Sequence, residues 1–323
     1  MNYYLFRLQF DTPVHFGPSD SALSLYSSED HFRADTLFSA LCHESVKLWG
    51  KSGPERLCAE AEAGELLLSD AMPWKGERLF LPKPCASSER AQDVPEGKRK
   101  AMKKLEWIPL DLFAEFMSSV RGGSAFDPQD AEAAFGISGE TTHVLLNPGE
   151  DSLPYQTGVY RFLPDAGLWF IAGCGSEEQG EKLGTLIRSL GLSGIGGKVS
   201  SGYGKFSVDD CIFLNEPFDE ATEWLCSALT EDADRYLLLS ASLPSDGELE
   251  RVLNGAEYRL ERRSGFVQSE RYATENLKKK TQYFLAAGSV LPCRYLPTLY
   301  SVGGNGRHPV YRLSAPIFLG VTL

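Results

Sequence analysis

The sequence predicts an α+β protein, with antiparallel sheets backed by helices, from three observations. Residues 3–10 alternate between large apolar side chains and polar ones, which is typical of a half-buried strand. Residues 35–49 carry apolar side chains at helical spacing, which indicates an amphipathic helix. The patterns farther along residues 1–214 complete the order strand, helix, strand, strand, helix, strand.

Each later element of this unit has its own signal. Asp35 is a good N-cap for the first helix, because its carboxylate can accept hydrogen bonds from first-turn amides. Two further strands are predicted at 155–163 and 168–172, joined by a tight Pro-Asp-Ala-Gly turn. A helix over 178–190, ended by Gly191, precedes a glycine-rich loop at 193–206 and a strand that runs to 214. This order is the ferredoxin-like arrangement, which RNA-recognition domains share.

The chain divides into two predicted domains, 1–214 and 215–323. A proline-rich segment at about 50–154 separates the first helix from the second strand, so we interpret it as a large insertion in the first domain. The C-terminal domain begins again with strand patterns at 235–243, 258–263, 282–286 and 315–321 and a short helix over 246–253. We interpret it as a second, degenerate ferredoxin-like unit.

Composition indicates a globular protein of a reducing compartment. The 323 residues are 42% hydrophobic and 24% charged, which suffices for substantial cores without disulfides or metals. The seven cysteines are scattered without Cys-x-x-Cys spacing, so we expect reduced thiols in a cytoplasm, with no metal and no cofactor. Neither a signal peptide nor an apolar run long enough to span a membrane is recognisable.

The charge is acidic overall but unevenly distributed. A net charge of −12 at pH 7 argues against binding of nucleic acid over the whole protein surface. Basic residues are clustered, however, at 98–104, at Arg259, Arg262 and Arg263, and at 278–280. Each cluster alone is more typical of a solvated face, whereas an acidic body with basic stripes fits a subunit that contacts RNA along one side.

The stretch SGIGGKVSSGYGKFSV at 193–208 is the strongest functional signal. It is not a Walker A loop, because Val199 stands where Ser or Thr is required, and unlike a Rossmann loop it follows a helix and opens a strand. Dense glycines, free amides and two lysines suit an extended polyanion, although a flexible surface turn has a similar composition. Residues 202–206 also match part of the RNA-recognition signature, without its leading basic residue.

This loop resembles the glycine-rich loop of the RAMP superfamily of CRISPR proteins. VHFG at 14–17 and HFRADTLFSAL at 31–41 look like the N-terminal signature of the fourth Csm subunit of type III-A effector complexes. SGFVQ at 264–268, LKKKTQYFLAAGSVL at 277–291 and HPVYRLSAPIFLGV at 308–321 resemble the C-terminal landmarks of that subunit. The resemblance covers both ends and the middle of the chain and is missing mainly in the insertion.

The resemblance implies a non-catalytic, RNA-binding role. Subunits of this family hold the repeat-derived 5′ handle of the crRNA, cap the filament of backbone RAMP subunits and dock the large cyclase/nuclease subunit. In the loop, glycines would let the phosphodiester backbone approach the amides, while hydroxyls donate to phosphate and lysines neutralise it. The implied RNA contacts are Gly196, Gly197, Lys198, Ser200, Ser201, Gly202, Tyr203 and Lys205.

Several further residues are candidate RNA contacts, and most of them also have a structural interpretation. Tyr203 either stacks on a handle base or packs on a neighbouring strand residue. His15 and Phe16 end the first strand, where RNA-recognition sheets expose groups to bases, but Phe16 fits a core position equally well. Arg33 is a candidate phosphate contact. The first basic cluster supplies either four more contacts or a solvated helix face; its residues are Lys98, Arg99, Lys103 and Lys104.

Two features near these candidates argue against additional functional sites. His31 and Asp35 lie four residues apart at a helix start, which fits an N-cap with an oriented imidazole better than a catalytic dyad. Residues 141–162 offer only His143 and Arg161 as potential positive charges, where relatives carry more. That difference argues against RNA contact by this segment.

Three other functions compete with RNA holding. A RAMP-type, metal-independent endoribonuclease that processes precursor crRNA needs a general acid and base, typically His with Tyr or Lys. Five histidines are present, but none sits in a recognisable catalytic pair, so we predict that the chain is not an enzyme. A pure assembly module and a sister subunit of type III-B complexes are the remaining alternatives, and HFRADTLFSAL favours type III-A over the latter.

Overall fold

The structure is a computed structural model that describes residues 1–18, 24–86, 96–122, 126–145, 152–269, 272, 273, 275 and 277–322, without the side chains of residues 96, 98, 99 and 145. Its strands are β1 (Asn2–Phe10), β2 (Leu66–Leu68), β3 (Met72–Lys75), β4 (Arg78–Pro82), β5 (Trp107–Pro109), β6 (Gly136–Leu145), β7 (Leu153–Phe162), β8 (Ala166–Cys174), β9 (Phe206–Phe213), β10 (Arg235–Leu238), β11 (Leu260–Arg263), β12 (Gln282–Leu285), β13 (Val290–Leu291), β14 (Thr298–Ser301), β15 (Tyr311–Ser314) and β16 (Phe318–Val321). Its helices are α1 (Ala34–Trp49), α2 (Ser52–Glu62), α3 (Glu96–Lys104), α4 (Phe113–Val120), α5 (Glu177–Ser193), α6 (Glu220–Thr230) and α7 (Leu249–Leu253).

Seven strands form one antiparallel sheet, in the order β5-β4-β3-β8-β1-β9, with β2 also paired to β8. At its centre Phe6 of β1 lies opposite Phe170 of β8. One face packs against α1, α2 and α5, and the other packs against α4, α6 and β10. All nine residues of β8 are therefore buried. An RNA-recognition sheet exposes one face to bases, whereas the centre of this sheet is covered on both faces.

The strand beside β8 is not the one that the sequence indicates. The predicted strand at 155–163 exists as β7, but it pairs over ten residues with β6 in a separate two-stranded ribbon. Its predicted place is taken by β2 and β3, from the segment interpreted as an insertion. Leu68, Met72 and Trp74 of these strands are buried against the sheet. Strands of three and four residues give no recognisable periodicity, which is why this pairing was not predicted.

Both predicted helices of the first unit are present, with different ends. Asp35 is not the N-cap of α1; it lies inside the helix, and the first helical amide, that of Ala34, donates instead to the Asp70 carboxylate at 2.8 Å. Helix α5 begins with a capping box at Ser176 and runs through Gly191 to Ser193. Gly191 does not end the helix, since it is a packing glycine whose Cβ would lie 2.2 Å from the carbonyl oxygen of Phe206.

The C-terminal part contains three small sheets. β10 pairs with β13 and β16, β11 pairs with β12, and β14 pairs with β15. The predicted strands at 235–243, 258–263, 282–286 and 315–321 and the predicted helix at 246–253 are present in shorter form, whereas α6 was not predicted. The mixed class of antiparallel sheets and helices is confirmed; two ferredoxin-like domains with a boundary after residue 214 stay a prediction.

Two further findings concern the chain as a whole. All seven cysteines are free thiols. In the parts of the chain that the structure describes, no helix is both long enough and apolar enough to cross a membrane.

Candidate nucleic-acid interface

The glycine-rich loop lies between α5 and β9 and is fixed to the segment that follows β1. The amide of Gly197 donates to the carbonyl oxygen of His15, and the amide of Gly204 to that of Pro13, both at 2.8 Å. Within the loop, the amide of Ile195 donates to the carbonyl oxygen of Gly204 at 2.9 Å. The loop is therefore a defined structure and not a free surface turn.

Three loop glycines are required by packing within the protein. A Cβ at Gly196 would lie 2.8 Å from the carbonyl oxygen of His15, and one at Gly197 would lie 2.5 Å from its Cδ2. A Cβ at Gly204 would lie 2.0 Å from the carbonyl oxygen of Ile195. The sequence analysis assigned these glycines to the approach of a phosphodiester backbone, but the chain itself occupies the space that their side chains would need.

The exposed rim of the loop carries the groups that remain accessible. We call the following set the loop rim: Lys198, Ser200, Ser201, Gly202 and Lys205. Ser200, Ser201 and Lys205 are exposed, while Lys198 and Gly202 are half-buried. Gly202 has a φ of 86° and no atom within 4 Å of its would-be Cβ, so its conformation, not its packing, favours glycine.

An aromatic cluster lies beside the loop rim. The Lys198 ammonium is 4.7 Å from the ring centroid of Tyr155 and 3.3 Å from its hydroxyl. The ring of His143, directly opposite Tyr155 in the β6–β7 ladder, stacks on it at 5.4 Å. Tyr203 is buried and shares a hydrogen bond of 3.2 Å with His143 Nε2. The predicted stacking face of Tyr203 is therefore taken up by packing, and the half-buried rings here belong to His143 and Tyr155.

These two residues were missed because strand pairing is not visible in a sequence. The lack of positive charge at 141–162 argued against this segment as a nucleic-acid contact. The ladder of β6 and β7 nevertheless brings His143 and Tyr155 to the loop rim. The sequence of β7, LPYQTGVYRF, carries no alternation that marks Tyr155 as surface-facing.

His15 and Phe16 lie beneath the loop and not on an open surface. Phe16 is a core residue, since it is 5% exposed and packs edge-to-face against Phe10 and Phe32. His15 is buried, and its Nδ1 lies 2.7 Å from the carbonyl oxygen of Gly158. The core alternative for Phe16 is therefore the correct one, and His15 supports the loop from below.

Arg33 is held in an ion-pair cluster, so it is not a free phosphate contact. Its Nε donates to Glu261 at 2.9 Å, and its guanidinium also lies 3.2 Å from Glu29 and 3.7 Å from Asp70. Burial opposes the charge of Arg33, but these three carboxylates outweigh it and raise the pKa of the guanidinium. Three anions around one half-buried cation leave no unmatched positive charge for RNA.

Asp35 joins a second cluster, which binds α1 to the C-terminal strands. Arg263 donates to both of its carboxylate oxygens, and the Nε of Arg312 lies 3.3 Å from Oδ2. Burial opposes ionisation, but the two guanidinium groups outweigh it and lower the pKa of Asp35. His31 makes no dyad with Asp35; its Nδ1 lies 2.7 Å from Asp30.

The first basic cluster forms helix α3. Lys103 and Lys104, in its last turn, are exposed, and the side chains of Lys98 and Arg99 lie outside the described residues. Met102 of this helix packs against the buried side chains on the α4 and α6 face of the large sheet. RNA contact by this cluster stays a prediction. No three His, Cys, Asp or Glu side chains converge as a metal site anywhere in the described ranges.

Comparisons with known proteins point to one family. A family model for the CRISPR Csm4 C-terminal domain matches residues 231–321. A Csm4 protein of a CRISPR system from Mycobacterium tuberculosis (strain ATCC 25618 / H37Rv) is 36% identical over 324 residues, covering 99% of this chain and 98% of the relative. A Csm4 protein from Streptococcus thermophilus is 32% identical over 328 residues, covering 98% of each.

Solved structures show the same fold. A chain in the crystal structure of a Csm3–Csm4 subcomplex superposes with a TM-score of 0.64 at 15% identity, covering 100% of both chains. A chain in the crystal structure of a Csm1–Csm4 cassette with cA4 gives 0.60 at 18% identity, also covering 100% of both. Fold and sequence together define a RAMP-type subunit of a type III CRISPR system. The relatives above 30% identity match along nearly the whole chain, and the chain belongs to the Csm4 family.

Proposed function

We propose that this chain is a non-catalytic crRNA-binding subunit of a type III-A CRISPR interference complex and holds the 5′ handle of the crRNA at the loop rim. Within that antiviral ribonucleoprotein, it links the large cyclase/nuclease subunit to the backbone filament. The likeness to chains crystallised with Csm1 and with Csm3 supports both protein contacts. The two ferredoxin-like domains belong to the same proposal.

The conformation of Lys198 is the observation that carries the RNA contact. Lys198 has a φ of 61°, and it is the one non-glycine residue with positive φ among the described residues. That conformation costs about 1–2 kcal/mol in an L-residue, and such strain is concentrated at functional sites. It holds an ammonium group at the rim beside two exposed hydroxyls, which is the combination that a phosphodiester chain requires.

Binding of handle RNA to the purified chain tests this proposal. Replacing Lys198 and Lys205 by Gln removes two phosphate contacts, so the slope of log K against log salt becomes shallower by about 1.4. The matched control replaces Lys51 and Lys182 by Gln, an exposed and a half-buried lysine away from the loop rim, and leaves that slope unchanged. Equal salt slopes in the two double variants would contradict RNA contact by the loop rim.

Metal-independent endoribonuclease activity is the second candidate, because one cluster favours it. His143, Tyr203, Tyr155 and Lys198 are connected side chain to side chain, and metal-free RNA cleavage uses these residue types. Incubating the chain with repeat RNA in excess chelator separates the two candidates. Uncleaved RNA supports a holding role; site-specific cleavage that His143→Ala abolishes would replace it with the processing enzyme.

A further inference from the structure

Two basic clusters outside the glycine-rich loop are neighbours in the fold. β11 and β12 pair antiparallel, with Arg262 opposite Tyr283. The pairing continues past the strands, because Phe266 forms a bridge with Lys278. We call residues 258–268 and 277–285 the basic ribbon. The clusters at 259–263 and 278–280 thus form one surface, although about fifteen residues separate them along the chain.

One side of the basic ribbon anchors it to the protein. Phe284 is buried in the interior. Arg263 bonds Asp35, and burial lowers the pKa of Lys279, an effect that the nearby Asp35 carboxylate opposes. Arg263 is therefore matched by internal charge, and its ion pair holds the ribbon against α1.

The other side of the basic ribbon is exposed and combines large rings with cations. Four large apolar side chains lie between 41% and 60% exposed: Tyr258, Leu260, Phe266 and Tyr283. Two exposed cations lie beside these rings, Arg262 opposite Tyr283 and Lys278 opposite Phe266, and Arg259 and Lys280 are exposed elsewhere on the ribbon. An exposed cluster of large apolar side chains on a soluble protein marks a binding surface.

Charge and composition favour RNA as the occupant. Four of the exposed side chains of the basic ribbon are Lys or Arg, in a chain whose net charge is −12. Protein interfaces are depleted of lysine at their centre, whereas single-stranded nucleic acid binds where aromatic rings alternate with cations along a groove or ribbon. The Nζ of Lys278 lies 5.6 Å from the ring centroid of Phe266, so this cation and this ring are neighbours on the surface.

We propose that the exposed side of the basic ribbon binds single-stranded RNA. Tyr258, Phe266 and Tyr283 stack on bases, and the exposed Arg and Lys side chains neutralise the phosphates between them. The proposal rests on the proposed function, because it adds a second contact to the RNA that the loop rim holds. The RNA then crosses two surfaces of one subunit.

Binding of a fluorescein-labelled oligouridylate of 30 nucleotides to the full chain tests the ribbon. Tyr283→Leu removes one stacking ring, so affinity falls roughly 5- to 150-fold, which is the range measured when one stacked base loses its aromatic partner. Phe218→Leu is the matched control, since Phe218 is 69% exposed on the loop before α6, and it leaves affinity unchanged. Arg262→Gln with Lys278→Gln makes the salt slope shallower by about 1.4.

Photocrosslinking of 5-iodouridine RNA to the same chain separates this proposal from the proposed function. Crosslinks to Tyr258, Phe266 or Tyr283 support the ribbon, with or without crosslinks at the loop rim. Crosslinks at the loop rim alone, together with ribbon variants that bind like the control, overturn the ribbon and leave the proposed function standing. Crosslinks at neither surface overturn both. Ribbon variants that lose a protein subunit on co-purification but bind RNA normally also overturn the proposal.

Discussion

Asp70 offers a direct test of how the two halves of the protein are joined. Its Oδ1 accepts the amide of Ala34 at 2.8 Å and the amide of Ala241 at 3.1 Å, so one carboxylate binds the start of α1 to the segment after β10. Its Oδ2 lies 3.7 Å from Arg33 Nε, which is an ion-pair distance but too long for a hydrogen bond.

The charge of Asp70 is expected to destabilise the folded state at neutral pH. Burial raises the pKa of this carboxyl to about 6, although Arg33 opposes the change. The rise of this pKa from its ordinary value of 3.8 corresponds to a destabilisation of the folded state by about 3 kcal/mol at pH 8. Because the folded pKa is raised, the contribution of Asp70 is fully present below pH 3.8 and is lost as pH rises through about 6.

Asp70→Asn keeps the Oδ1 acceptor and removes the charge. We expect the free energy of unfolding to rise by about 1–3 kcal/mol at pH 8, with the gain shrinking toward zero near pH 3, below the ordinary value of 3.8, where Asp70 is mostly protonated in both states. Urea titrations at pH 8, 6 and 3 measure it. An Asn variant that is less stable than the parent by the same amount at every pH would refute the reasoning on burial.

Two comparison variants complete this test. Asp70→Ala leaves two buried amides without an acceptor and costs about 2–6 kcal/mol at all three pH values. Asp165→Asn removes an exposed carboxylate 4.0 Å from Lys75 and changes stability by less than about 0.5 kcal/mol.

Two further predictions concern the ion pairs and the loop. Asp35→Asn leaves Arg312 without its carboxylate and Arg263 with Glu261 alone, and costs about 3–5 kcal/mol at pH 7; the cost shrinks as acid protonates Asp35 through its lowered pKa, and a pH-independent cost in urea titrations would contradict this. Gly202→Ala introduces only backbone strain of about 1–2 kcal/mol, whereas Gly204→Ala adds a 2.0 Å contact with a carbonyl oxygen and lowers the melting temperature much more; equal shifts would show that the loop relaxes.

Locally encoded elements were predictable from the sequence. β1 and α5 are recognisable because their apolar residues repeat at the period of a strand and of a helix over nine and seventeen residues. β2 and β3 are too short for a period, and α6 went unpredicted although it begins with a capping box at Asp219. The sequence pattern therefore predicts whether a segment is a strand or a helix, but not which other element it pairs with.

The candidate site was predictable only in part. Its lysines and serines lie on the accessible part of the loop, where RNA contact stays a prediction, whereas the glycines have a second explanation in packing. Phe16 and Arg33 were assigned to the RNA surface because their chemistry suits bases and phosphates. Phe16 is buried, and Arg33 is half-buried and paired with Glu261, which lies 228 residues away along the chain.

The sequence by itself determined the family, the mixed class of the fold and the position of the loop, because each depends on neighbouring residues. Tertiary structure alone decided which strand lies beside β8, which cations are paired internally and which remain on the surface. The physical reason is that burial and ion pairing depend on residues brought together from distant parts of the chain. A local sequence pattern does not identify those distant partners.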